Sequence, residues 1–307
     1  MEVLVRLSGL LALLLAGTGL RRVGVLDADR TELLNQTAYY VALPALVFVA
    51  TYDQSIGDVV SWELFVGVVA ALLGTALVAS VVHRNRSPTA RRSVAVVQSY
   101  HSNLGYLGVP LVAATFDAEV TAIASVILGI GALVQVPLTV ILLVSMNGTN
   151  ADGALGRHLK SLAGNPVLIA LVAGMAIGGF RLGVPTAAAT ALDWVGSLAL
   201  PLALLCVGAT LQVDSSTIDR GATASVVALK VACMPAIAWG VLSLLGVNAA
   251  TFTAGVVMLG TPTAVSTYVF ATELGGDAGF ASLNVFVTTV ASVASLTLLI
   301  ELVGLVV

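Results

Sequence analysis

The chain has 307 residues, of which 58% are hydrophobic and only 9% charged, with a mean hydropathy of +1.04 and a formal charge of −3. Soluble chains carry about 25% charged residues, so a pair of soluble domains is excluded at this length. The thirteen Lys and Arg form no long run, which argues against nucleic acid as a partner. Cys206 and Cys233 lie inside apolar stretches, which excludes a disulfide scaffold and a multi-cysteine metal site. The composition is that of an all-α polytopic membrane protein.

A helix needs roughly 20 mostly apolar residues to cross a ~30 Å hydrocarbon core. In chain order such stretches fall near 3–20, 33–52, 64–82, 93–116, 120–146, 161–180, 194–213, 221–247, 248–272 and 278–300. Only Arg6 and Lys230 interrupt them with charge. The short alternating segments of an outer-membrane barrel are missing. Ten transmembrane helices are therefore expected. The first stretch is read as a span and not as a removed leader, because Arg21 and Arg22 follow its apolar core and no small-residue cleavage site intervenes.

Basic residues set the orientation. Arg21, Arg22, Arg30, Arg84, Arg86, Arg91, Arg92, Arg157, Lys160 and Arg220 fall in odd-numbered loops, against Arg6 and Arg181 on the other side. The odd loops are expected in the cytoplasm, and both termini outside an inner (plasma) membrane.

The second and seventh stretches share Ala42-Leu43-Pro44 and Ala199-Leu200-Pro201, and the fourth and ninth share Gly108-Val109-Pro110 and Gly260-Thr261-Pro262. These ordered matches predict a five-helix repeat, over 1–146 and 161–307, joined by a short cytoplasmic linker at 147–160. Five is odd, so the second copy enters the membrane inverted, as in secondary transporters. In the fourth stretch Gly105, Gly108 and Pro110 are expected to unwind the helix, and Gly260 to Ala264 to do the same in the ninth. Freed backbone groups must be buried in protein or line a wet cavity. A helix N-terminus exposed there favours an anion.

These residues carry a family resemblance. The Asn103, Gly105, Gly108, Pro110 pattern resembles the fourth-helix crossover of the auxin efflux carrier (PIN-like) family. Asn165-Pro166 resembles the start of its second half. Leu200-Pro201-Leu202-Ala203-Leu204 with Gly208-Ala209-Thr210-Leu211 resembles its seventh-helix signature, and Pro262, Ala264 and Ala271 to Asp277 its ninth. The resemblance implies a homodimer in which helices 1, 2, 6 and 7 form a scaffold and helices 3–5 with 8–10 a moving unit. It also implies an organic anion at the crossing of helices 4 and 9, in contact with Asn103. Gly105, Tyr106, Gly108, Pro110, Thr261, Pro262 and Thr263 would shape that site. The long central loop of the plant members is missing and Glu63 stands alone in the third helix, so a small carboxylate is expected in place of auxin.

Lys230 lies about ten residues into the eighth stretch. A lysine at helix centre costs roughly 2.5–3.5 kcal/mol on insertion scales, so it should face protein or water. It is a candidate for anion contact or ion coupling, with a snorkelling stem as the alternative. His101 is a candidate for proton coupling or, alternatively, a hydrogen-bonded structural histidine. Gln98, Gln135, Thr267 and Tyr268 are further candidates for the cavity wall, Asn35 and Gln36 for a helix entrance, and His83 and His158 are expected to be solvated. Neither HExxH, GxSxG nor GxxxxGK[ST] occurs, so enzyme chemistry, a cofactor and a metal are not expected. The reading is a secondary transporter of a small organic anion, with membrane lipid around it. The alternatives are a sodium-coupled carrier similar to the bile acid symporters, or a ligand sensor that does not transport.

Overall fold

The structure is a computed structural model that describes residues 2–148, 153–210 and 219–306. It is all-helical, with no strand among the described residues. In chain order the segments are α1 (Glu2–Arg22), α2 (Ala28–Thr51), α3 (Ile56–Val82), α4 (Thr89–Tyr100), α5 (Leu104–Thr115), α6 (Ala118–Asn147), α7 (Ala154–Ala163), α8 (Pro166–Gly179), α9 (Thr186–Ala209), α10 (Arg220–Leu245), α11 (Ala249–Leu259), α12 (Ser266–Glu273) and α13 (Ala278–Val306). Residues 149–152 of the expected linker, 211–213 of the seventh stretch and the Arg6 side chain lie outside the described residues.

Six of these segments, α2, α3, α6, α9, α10 and α13, are long and apolar enough to cross a membrane, and α7 with α8, bent by 44°, would make a seventh. For the fourth and ninth of the ten expected stretches the difference has a physical source, while the first, α1, is not among the six. The fourth and ninth stretches are each divided by irregular backbone into α4 with α5 and α11 with α12, and no half reaches the length of a span. Part of the expected polar linker is helical as well. Leu155, His158, Leu159 and Leu162 recur at helical spacing in α7, with Arg157, Lys160 and Ser161 between them.

Proline shapes three of the helices in one way. Wide turns at Ala38–Ala42, Leu104–Gly108 and Leu229–Cys233 close with i→i−5 bonds, from Leu43 to Ala38, Val109 to Leu104 and Met234 to Leu229. The next residue is in each case proline, at 44, 110 and 235. Proline cannot donate to the carbonyl four residues back, and its ring crowds that group. One extra residue in the preceding turn relieves the clash and keeps the helix running. Gly105, Gly108 and Pro110 therefore widen the fourth helix, and the chain unwinds just ahead of them, at His101 to Asn103.

The helices pack in two groups. α1 lies on the second half of α9, and α2 on α8 and the first half of α9. The other group has α3 against α10, α4 and α6, and α11 against α6 and α10. α1 and α9 approach through glycine: a Cβ on Gly208 would fall on the Leu14 carbonyl, and one on Gly17 on that of Leu205. The Thr18 hydroxyl donates to the Gly208 carbonyl at 2.8 Å across the same contact. Small residues let backbones meet in this way where lipid offers no hydrophobic drive.

A charged cluster fastens the α3–α4 loop to two other helix starts. Arg86 and Arg91 reach Asp219 at 3.3 and 3.7 Å, and Arg91 reaches Asp277 at 2.9 Å. Asp219 and Asp277 also cap α10 and α13 through the amides of Ala222 and Phe280. His83, expected in solvent, is buried beneath this loop, where its Nδ1 accepts from Arg86 Nε at 3.2 Å. Burial first, and then the Arg86 charge, lower its pKa to about 4.

Two outcomes follow. Gly208→Leu should lower the melting temperature of detergent-solubilised protein through overpacking of about 1–3 kcal/mol, whereas Gly19→Ala, which meets nothing within 4 Å, should not. The Asp219 carboxyl is held below its ordinary range by the Ala222 amide, then by Arg86 and Arg91. A depressed folded value contributes stability above the ordinary carboxylate pKa of about 4 and loses it as pH falls through the folded value. Asp219→Asn, which keeps the cap, should therefore melt slightly below the parent at pH 7, by no more than about 1 kcal/mol. The gap should close in acid, as read from melts over a pH series.

Candidate functional site

The two irregular segments meet. The Asn103 amide donates to the Pro262 carbonyl at 2.8 Å, and the Ala264 amide donates to the His101 carbonyl at 3.0 Å. Ser102 and Thr263 stand opposite each other as a single antiparallel bridge. A broken helix in the membrane needs partners for its backbone, and here each break supplies the other's. Side chains of α6 complete the set. Gln135 Oε1 accepts from the Ser102 amide at 2.5 Å, and Thr139 Oγ1 lies 2.8 Å from His101 Nδ1 and 2.9 Å from the Tyr100 hydroxyl.

Behind the bridge lies a buried polar layer. Gln98 Nε2 donates to Thr267 Oγ1 at 3.0 Å and to the Ala281 carbonyl at 2.9 Å, while its Oε1 accepts from Asn284 Nδ2 at 2.9 Å. The Thr263 hydroxyl donates to the Gln98 carbonyl at 2.6 Å. This layer holds α4, α12 and α13 together.

In front of the bridge a cavity of about 240 Å³ is lined by Tyr39, His101, Ser102, Asn103, Gly105, Tyr106, Gln135, Ser161, Asn165, Ala264, Ser266 and Phe270, with Leu104, Leu128, Ala132, Val136, Leu162 and Val265. Its walls bear no Asp, Glu, Lys or Arg. The first turns of α5 and α12 open on it, and the leading amides of a helix have no acceptor within that helix. The Asn103 side chain is buried at the wall and makes no hydrogen bond to the described residues. Tyr39 and Tyr106 stack at 5.9 Å, and Phe270 lies between His101 and His158, at 6.0 and 5.1 Å.

Of the residues singled out in the sequence, the cavity gathers His101, Asn103, Gly105, Tyr106 and Gln135. Gly108 and Pro110 lie deeper in the wide turn, and Thr261, Pro262 and Thr263 form the bridge and its flank without lining the cavity. Lys230 is fully buried and gives its Nζ to the Leu259 carbonyl at 2.9 Å, also outside the lining. Gln98 and Thr267 belong to the polar layer, while Tyr268 is exposed. Asn35 and Gln36 sit within the first turns of α2, away from the cavity. His158 packs on Phe270 and approaches Glu273 at 3.7 Å. Tyr39, Ser161, Asn165 as a wall residue, Ser266 and Phe270 were not foreseen, and nothing local marks them: they come from four separate segments, with Ser266 and Phe270 sharing α12.

Stability and binding should separate at this site. Gln98→Leu leaves the Asn284 amide without its acceptor, a loss of about 1–3 kcal/mol that a melting curve should register. Asn103→Ala removes a side chain with no protein partner and should melt close to the parent. A melt in which Asn103→Ala is the less stable of the two would show that its amide is structural.

The sequence profile of the family described as "Membrane transport protein" matches residues 3–161 and 154–300. A protein of Methanothermobacter thermautotrophicus named an uncharacterized transporter is 27% identical over 294 residues, with 94% of each chain covered. Another protein so named, from Methanocaldococcus jannaschii, is 24% identical over 310 residues, again with 94% of each covered. With the family profile spanning nearly all of its apolar helices, the chain is a multi-pass membrane protein that belongs to the membrane transport protein family, the auxin efflux carrier family its crossover motifs resemble.

Proposed function

We propose that the protein is a secondary transporter that carries a small organic anion, a carboxylate, by alternating access. The observation that supports this most is the cavity against the paired breaks. It offers the amides of Gly105 and Ser266 at the starts of two half-helices, whose neighbours Leu104, Thr267 and Tyr268 already donate to backbone carbonyls, and the side-chain amide of Asn103, with no carboxylate in its walls. Donors of this kind stabilise negative charge, and hydrogen bonds to a charged group contribute about 1.5–3 kcal/mol.

In this reading the chain makes ten spans, with α4 and α5 forming the fourth and α11 and α12 the ninth, as two inverted five-helix repeats over 1–146 and 161–307. The packing of α1, α2, α8 and α9 on one another supports their assignment as scaffold, with the remaining spans as the moving unit. The protein works as a homodimer in the plasma (inner) membrane. Both termini are outside, so the cavity, which reaches Ser161 and Asn165 near α7, opens to the cytoplasm. Breaking the contact of Phe270 with His158 of α7 and carrying the bridge past the scaffold would expose the same donors to the other side.

The test is a thermal-stability screen of small organic acids on purified protein, followed by counterflow of the radiolabelled hits in proteoliposomes. A carboxylate should raise the melting temperature and exchange across the bilayer, and Asn103→Ala should weaken both by roughly 10–150-fold in affinity. Binding without exchange would make the protein a sensor, and hits confined to cations or neutral solutes would overturn the anion reading.

A further inference from the structure

The end of α11 carries a charge problem that the cavity does not explain. Where a helix stops, its last carbonyls lose their partners and bear about half a negative charge. α11 stops at Leu259, inside the protein, beside the bridge. The Met258 carbonyl takes the amide and hydroxyl of Thr261, at 3.3 and 2.7 Å. The Leu259 carbonyl takes Lys230 Nζ at 2.9 Å and, more weakly, the Ser102 hydroxyl at 3.4 Å. Lys230 Nζ also meets Met234 Sδ at 3.2 Å, and Ser102 Oγ lies 3.6 Å from the same sulfur. His101, one residue away from Ser102, turns its Nδ1 to Thr139 instead.

The ammonium thus sits between a carbonyl and a thioether of the second half of the chain, the Ser102 hydroxyl of the first half meets the same two atoms, and no carboxylate makes a salt bridge to the ammonium among the described residues. An ion in such a place is held by the helix end. The wide turn at Leu229–Cys233 puts it there, since one inserted residue turns the start of α10 about 100° relative to its continuation. We propose that Lys230 is a tethered cation: its ammonium fills, from within the chain, a monovalent-cation site at the broken end of α11, so that exchange needs no added sodium or potassium. The inference rests on the transport reading for its effect on exchange, but the site itself does not.

Two variants separate the charge from the fold. Lys230→Gln keeps a donor for the Leu259 carbonyl and removes the charge, and Lys230→Met removes both. Exchange and melting are measured in choline, sodium and potassium chloride at one ionic strength. The parent should exchange equally in all three salts. Lys230→Gln should lose about ten-fold in choline, the scale of one charge at a helix end, and recover part of it in sodium or potassium. In the melts, sodium or potassium should stabilise Lys230→Gln over choline and leave the parent unmoved. Full exchange by Lys230→Gln in choline, a sodium requirement in the parent, or a folded Lys230→Gln that no cation restores would each overturn the proposal. If no protein exchanges any solute, the transport reading fails and the salt-specific melts alone decide the cation site. Should Lys230→Met fail to fold while Lys230→Gln folds, the Gln series carries the whole test.

Discussion

Two backbone hydrogen bonds, Asn103 to Pro262 and Ala264 to His101, are the constraint on which this architecture depends. Unwound chain inside an apolar helical protein has few ways to satisfy its amides and carbonyls. Pairing the two breaks with each other solves the problem once for both halves. It also fixes where everything else must be: α6 has to present Gln135 and Thr139 to the bridge, and α13 has to present Asn284 and Thr288 behind it. Elsewhere in the interior, buried hydroxyls such as Thr51, Thr75 and Ser125 return to carbonyls of their own helix.

Proline does the complementary work. In α2, α5 and α10 the response to proline is a widened turn, so the helix survives and only its register changes. That change has chemical consequences. The widened turn of α2 carries Tyr39 and that of α5 carries Tyr106, and the two rings stack at the cavity wall. The widened turn of α10 delivers Lys230 to the end of α11. Three register shifts thus build the surroundings of the bridge, while Pro262 serves the bridge directly through its carbonyl.

The charged residues work at a different level. Arg86, Arg91, Asp219 and Asp277 tie the α3–α4 loop to the starts of α10 and α13 at one end of the helices. Each aspartate caps a helix and receives an arginine, so the cluster joins local helix starts to long-range packing. It braces the start of α4, which runs to the first break.

The membrane class, the positions of the apolar stretches and the break in the ninth could be read from the sequence, because they depend on local composition and on Gly and Pro chemistry. Asn103, Gly105 and Tyr106 were legible for the same reason, as was the polar character of Gln98 and Gln135 in otherwise apolar stretches. Other features depend on residues distant in sequence. The fourth helix breaks at His101 to Asn103, ahead of its glycines, because the carbonyl of Pro262 and the side chain of Gln135 wait there. His83 is buried because Arg86 and Ser99 fold over it. Lys230 stood out by its charge alone, yet its partner is a carbonyl 29 residues away. Sequence determined which residues could not face lipid; the tertiary structure decided what each of them faces, since a partner for a buried polar group is a property of packing between segments and not of the segment that carries it.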